Sequence, residues 1–66
     1  MILIINGQKK TFVTPLDLRG CLEQEGYGDM LVAVARNGTF VAKNNYGATK
    51  LDDGDEIEIV APMQGG

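Results

Sequence analysis

Two Asn-Gly pairs, Asn6-Gly7 and Asn37-Gly38, constrain the fold of this chain more than any other feature. A two-residue turn between antiparallel strands needs both central residues at positive φ, which asparagine and glycine tolerate best. The first pair follows the apolar run Ile2 to Ile5 and predicts a hairpin returning over Lys9 to Val13, with Phe12 toward the core. The second follows Leu31 to Ala35, which reads as a strand buried on both faces, and returns through Phe40-Val41. A last strand, Glu56 to Ala61, alternates cleanly: Ile57, Ile59 and Ala61 fall on one face, Glu56, Glu58 and Val60 on the other. The Asp52-Asp53-Gly54-Asp55 segment before it reads as a turn.

Between the hairpins lies one helix. Thr14 precedes a proline and so favours extended backbone, which suits an N-cap. Pro15 then occupies the first helical position and Asp17 the acidic place of a capping box. Leu18, Cys21 and Leu22 make an apolar stripe at helical spacing, and Gly26 is the expected stop. Gly20 interrupts the helix at a cost of about 1 kcal/mol relative to alanine. Asn44 to Lys50 is polar and irregular, with Tyr46 as its anchor. Two hairpins, one helix and a final strand bury their apolar faces most simply as a mixed sheet wrapped across the helix, an α+β architecture of the β-grasp kind. Its first and last strands lie side by side and parallel.

Sixty-six residues allow one small core and little room for an internal active-site cavity, which argues against a self-contained enzyme. The formal net charge is −3, and the six Lys and Arg residues are scattered except for Lys9-Lys10. Nucleic-acid binding needs a concentrated positive field, so a basic protein partner is the more natural complement. With one cysteine no internal disulfide can form, and a small secreted domain would usually need such staples. The first residues are too short an apolar run for a secretory signal, and no membrane span is evident, so a cytoplasmic location is expected.

The candidate reactive groups are few. Cys21 lies on the helix stripe, and the chain has no histidine to activate it, so it reads as a buried hydrophobe. A single cysteine also excludes a four-cysteine iron–sulfur cluster. The acidic group Asp52, Asp53, Asp55, Glu56 and Glu58 lacks the spacing of a calcium loop and reads as a turn and a solvated strand face. If it has a further role, that role is docking onto a basic partner near the chain's end. Asn37-Gly38-Thr39 matches a glycosylation acceptor but reads as a turn.

What remains is the ending, Pro62-Met63-Gln64-Gly65-Gly66. Glycine lacks a Cβ, so a Gly-Gly tail can enter a narrow slot and expose its carbonyl carbon to a nucleophile. Pro62 cannot donate to a sheet, which favours a projecting tail. The expected division is a β-grasp domain over residues 1–61 and a flexible tail over 62–66. The expected reacting group is the Gly66 carboxylate. It needs activation, most simply by an ATP-consuming adenylating partner. A sulfur nucleophile would turn the adenylate into a thiocarboxylate, and an amine would turn it into a conjugate.

These pieces together resemble the ubiquitin-like sulfur carriers, most closely the ThiS family of thiamine biosynthesis. The resemblance rests on Ile4-Ile5-Asn6-Gly7, Asn37-Gly38, Leu51 through Val60, and the closing Pro62-Met63-Gln64-Gly65-Gly66. It implies adenylation of Gly66 by a ThiF-type, E1-like enzyme, with a cysteine desulfurase or similar source of sulfur. It further implies insertion of Pro62 to Gly66 into thiazole synthase, with no cofactor bound by the chain itself and ATP used by the partner. Gly20 departs from the family's usual better helix former. The alternatives are a MoaD-like molybdopterin-synthase small subunit, another thiocarboxylate carrier, or a β-grasp interaction module without tail chemistry.

Overall fold

The protein is described by a computed structural model over residues 1–61. Five strands form one sheet: β1 (Ile2–Ile5), β2 (Gln8–Thr11), β3 (Ala33–Arg36), β4 (Thr39–Val41) and β5 (Glu56–Val60). Their order is β2-β1-β5-β3-β4, and β5, the last in sequence, is central. It runs parallel to β1 and antiparallel to β3, as the crossover through the helix requires. The helix α1 (Leu18–Gln24) covers one face of this sheet. The arrangement is the expected β-grasp. Leu3, Ile5, Val34, Ile57 and Ile59 from the sheet meet Leu18, Cys21 and Leu22 from α1 in one core.

Both hairpin turns have the expected geometry. Asn6 and Asn37 each lie at φ 50°, followed by Gly7 at 84° and Gly38 at 83°. The return strand of the first hairpin ends earlier than expected, at Thr11, and Val13 is exposed. Phe12 nevertheless turns inward, its backbone exchanging hydrogen bonds with Met1 at 2.7 and 2.8 Å.

The helix starts three residues later than the Thr14-Pro15 signal suggests. Asp17 is the N-cap: its backbone is extended, and its carboxylate accepts from Gly20 N at 2.7 Å. The reason is tertiary. Leu18 N donates to Thr49 O and Leu51 N donates to Leu16 O, both at 2.9 Å, so residues 16–18 are held extended beside residues 49–51. Gly20 therefore sits in the first turn and not in a helix interior. A Cβ there would lie 3.0 Å from Leu16 Cδ1 and 3.3 Å from the capping Asp17 Oδ1. The helix end matches expectation. Gly26 at φ 90° donates to Glu23 O, and Tyr27 donates to Leu22 O at 2.8 Å, the paired bonds of a Schellman cap. A seven-residue helix is marginal alone, so packing and these two caps hold it.

The polar stretch after β4 is a 3₁₀ helix, Lys43–Ala48, instead of irregular loop. Tyr46 anchors it as expected, buried and donating its hydroxyl to Val32 O at 3.3 Å.

The asparagines do more than turn the chain, because both of their side chains grip β5. Asn37 Oδ1 accepts from Glu56 N at 2.9 Å, and Asn6 Oδ1 accepts from Ile59 N at 2.8 Å. The amide of Asn37 also donates to Asp55 Oδ1 at 3.0 Å, so the nitrogen that a glycosyl transfer would use is engaged in the fold.

Cys21 is completely buried, and burial in the apolar core, followed by the nearby Glu25 charge, pushes its thiol up to about 11; Lys10 opposes this only partly. The thiolate is the reactive form, so native protein at neutral pH should resist alkylation. Labelling is expected to follow global unfolding and to rise steeply only near the urea midpoint. Fast labelling of folded protein, read by mass, would contradict this.

Candidate functional site

The expected reacting residues, Pro62, Met63, Gln64, Gly65 and Gly66, lie outside the described residues. What the structure describes is the platform that leads to them. β5 ends at Val60, in the middle of the sheet, so the chain leaves from the centre of the molecule and not from an edge. Ala61, expected to continue the inward face, is already out of the strand and exposed.

The face of the sheet away from α1 is open, and its character follows from strand register. Val60 sits opposite Ala33, Glu58 opposite Ala35, and Ala35 opposite Phe40. These side chains share the outer face, because Val34 and Ile59, one residue out of phase, are buried in the core. Phe40 is 69% exposed, Val60 64%, and Leu31, beside the strand end, 71%. Leu31, Val32, Ala33 and Val60 line a shallow groove of about 270 Å³. A second groove of about 170 Å³ runs past Ala33, Ala35, Phe40, Glu58 and Val60. Ile2 and Val13 are exposed as well, but Leu31, Phe40 and Val60 share the grooves that reach the end of the strand carrying the tail. Exposed apolar side chains collected in this way mark a protein-docking surface.

This corrects one expectation. Leu31 to Ala35 is not buried on both faces: only Val34 of the run is fully buried, and Leu31 and Ala33 face outward. A single helix can cover only one side of the sheet. The alternation of Glu56, Glu58 and Val60 already held the signal, since it put Val60 on the charged and therefore solvated face.

The acidic group also divides. Asp55 is buried, contrary to its reading as part of a turn and solvated strand face. Its carboxylate accepts from Asp52 N at 2.8 Å, Arg36 Nε at 2.9 Å and Asn37 Nδ2 at 3.0 Å. Burial alone would raise its pKa, but these hydrogen bonds and the Arg36 charge outweigh it and hold the carboxyl below its ordinary 3.8. Asp53 accepts from Ile2 N at 2.6 Å, and Asp52 pairs with Arg36 at 3.1 Å. The three aspartates therefore close the turn onto the sheet. Glu56 and Glu58 stay exposed on the outer face and make no ion pair among the described residues. They are the part of the acidic group free to meet a basic partner.

Among the described residues, no group of three or more His, Cys, Asp or Glu side chains is placed to hold a metal ion. No described helix is long and apolar enough to cross a membrane. What the described site offers is a docking face beside a chain exit.

Comparison with known proteins agrees with this geometry. A family model described as the ThiS family matches residues 3–66, a span that takes in both the sheet and the closing glycines. A thiazole synthase of Paramagnetospirillum magneticum is 38% identical over all 66 residues, and one of Magnetococcus marinus is 35% identical over the same span. The chain spans only 20% of the length of each. Among solved structures, the crystal structure of the thiamine biosynthesis protein ThiS from Geobacter metallireducens superposes with a TM-score of 0.84 at 29% identity, covering the whole of both chains. The solution structure of a thiamine biosynthesis protein from that organism gives 0.85 at the same identity, covering 88% of that chain.

Proposed function

The chain belongs to the ThiS family, and we propose that it is a sulfur carrier whose Gly66 carboxylate takes up sulfur and delivers it to the thiazole ring in thiamine biosynthesis. The observation that carries this reading is the family match through Gly65-Gly66, on a body whose central strand ends at Val60, six residues before Gly66. In this reading residues 1–61 are the handle and residues 62–66 the working tail.

The chemistry belongs to the tail and its partners. A carboxylate oxygen of Gly66 attacks the α-phosphorus of ATP on a ThiF-type, E1-like enzyme, and pyrophosphate leaves. Hydrosulfide then adds to the acyl-adenylate carbonyl and expels AMP, leaving a thiocarboxylate; a persulfide from a cysteine desulfurase would instead give an acyl disulfide, which a thiol cleaves to the thiocarboxylate while itself ending in a disulfide. Thiazole synthase accepts that sulfur. Two proteins of that name, each matched by the whole of this chain over 20% of its own length, support it as the receiving partner. In this reading the protein is a co-substrate, and Cys21, the one thiol that could rival the tail as a sulfur group, is sealed in the core. The Leu31–Phe40–Val60 surface suits an apolar contact close to where the tail enters a partner, and Glu56 and Glu58 suit basic side chains at its margin.

Intact-mass measurement tests the reading. Protein incubated with a ThiF-type enzyme, ATP and sulfide is expected to gain the mass of one oxygen-to-sulfur exchange, located at Gly66 by fragmentation. Unchanged protein beside an enzyme that demonstrably releases pyrophosphate would overturn it. The thiocarboxylate form is then expected to support thiazole formation with thiazole synthase, and not molybdopterin formation with the large subunit of molybdopterin synthase.

A further inference from the structure

We infer that Asn6 is a positioning residue for the tail: its side-chain amide makes the last rung that holds β5 on the β1 side, and so sets where the chain toward Gly66 leaves the sheet. This rests on the carrier reading above. The backbone evidence is a ladder that runs out one rung early. Ile4 N donates to Asp55 O and Asn6 N donates to Ile57 O, both at 2.9 Å, as a parallel pair requires. The next acceptor would be the carbonyl of Asn6 itself and the next donor the amide of Gln8, but at Asn6 the chain turns away at φ 50° into the hairpin, where Gln8 pairs with Ile5. The side chain fills the vacated place. Asn6 Oδ1 accepts from Ile59 N at 2.8 Å, and Asn6 Nδ2 donates to Ile59 O at 3.3 Å.

The residue type follows from two demands made at once. The turn needs positive φ, and the rung needs a donor and an acceptor on one short, planar side chain. Asparagine meets both. Aspartate keeps the turn and the acceptor but sets a carboxylate oxygen against the Ile59 carbonyl. Glycine keeps the turn and loses the rung entirely.

Asn37 grips β5 in a comparable way, yet at Glu56, where the strand begins. The two clamps thus lie on opposite flanks and at opposite ends of the strand. Only the Asn6 clamp lies at the exit. Gly66 is seven residues beyond Ile59, a path of at most about 25 Å when fully extended. With so short a reach, the point at which β5 is anchored limits where Gly66 can arrive, and misplacing reacting atoms by about 1 Å can cost up to 100-fold in rate.

The test compares wild type with Asn6→Gly, Asn6→Asp and Asn37→Gly at a temperature where circular dichroism shows each folded. Amide hydrogen exchange at Ile59 in Asn6→Gly is expected to quicken about tenfold beyond the change shared by core amides such as Val34. In sulfur loading by a ThiF-type enzyme with ATP and sulfide, Asn6→Gly is expected to lower kcat about three- to tenfold with KM within about twofold, because the docking face is intact. Asn6→Asp is expected to lower kcat in the same direction, which keeps the test available should the glycine variant not fold. Asn37→Gly destabilises the sheet but leaves kcat at the wild-type value. Ile59 exchange that merely tracks global stability, or equal kcat losses in Asn6→Gly and Asn37→Gly, would overturn the inference. Wild-type protein that gains no sulfur at all would overturn the carrier reading and with it the positioning of Gly66. The exchange measurement alone would still decide the clamp.

Discussion

Shortening the chain by Gly66 alone is expected to lower sulfur loading at least about 10³-fold while leaving the fold intact. The truncated chain still offers a carboxylate on a glycine, so the functional group is unchanged and only its position moves. Removing one residue draws the reacting carbon back by about 3.5 Å along an extended chain. Displacements of 1 Å already cost up to about 100-fold when reacting atoms must meet at near-attack distance. The fold is spared because the core is complete by Ile59, and β5 is gripped on both flanks before Val60. Single-turnover loading followed by mass, beside a urea melt, measures both halves of this expectation. A truncated protein that loads near the wild-type rate would remove Gly66 from the reaction. A truncated protein that unfolds earlier would show that the tail also supports the body.

Replacing Asp55 is expected to give the largest loss of stability, about 2–4 kcal/mol for Asp55→Ala. That residue is the buried acceptor for Arg36, Asn37 and the Asp52 backbone together. Removing it strands three donors, and Arg36 retains only the exposed Asp52 as its partner. A 66-residue chain has about 3–10 kcal/mol of stability in all, so this single change uses a large share of it. The pH dependence has a definite sign. The carboxyl is held below 3.8 in the folded protein, so its contribution is fully present above the unfolded value and is lost as pH falls through the folded one. Wild type should lose stability below about pH 4, and Asp55→Asn should start lower with a shallower acid limb. Urea midpoints measured at neutral pH and at successive acid steps check this. An Asp55→Ala midpoint equal to wild type, or an identical acid limb in Asp55→Asn, would contradict it.

The features readable in the sequence are those whose cause lies within a few residues. The turns at Asn6-Gly7 and Asn37-Gly38 follow from the φ that those residues accept. The Gly26 stop follows from the same rule, and the faces of β5 follow from a period of two. The helix start failed for the opposite reason. Thr14, Pro15 and Asp17 all satisfy local rules for an N-terminus, and the choice of Asp17 was made by Thr49 and Leu51, more than thirty residues away. Asp55 has the local look of a turn aspartate, and only Arg36 and Asn37, 19 and 18 residues distant, make it a buried anchor.

The candidate site divides along the same line. The closing Gly65-Gly66 and the strand leading to them were legible, because the absence of a Cβ and strict alternation are properties of residues themselves. The docking face was not. Leu31, Ala33 and Phe40 are apolar in the sequence whether they point in or out, and one short helix covers only one side of a five-stranded sheet. By itself, then, the sequence determined the two hairpin turns, the helix stop and the alternation of the last strand. The tertiary structure alone decided which apolar side chains stay in solvent beside that strand's end, and it made two turn asparagines into clamps on the central strand. Both outcomes depend on which segments lie opposite one another, and the parallel β1–β5 pairing sets residues about fifty positions apart side by side.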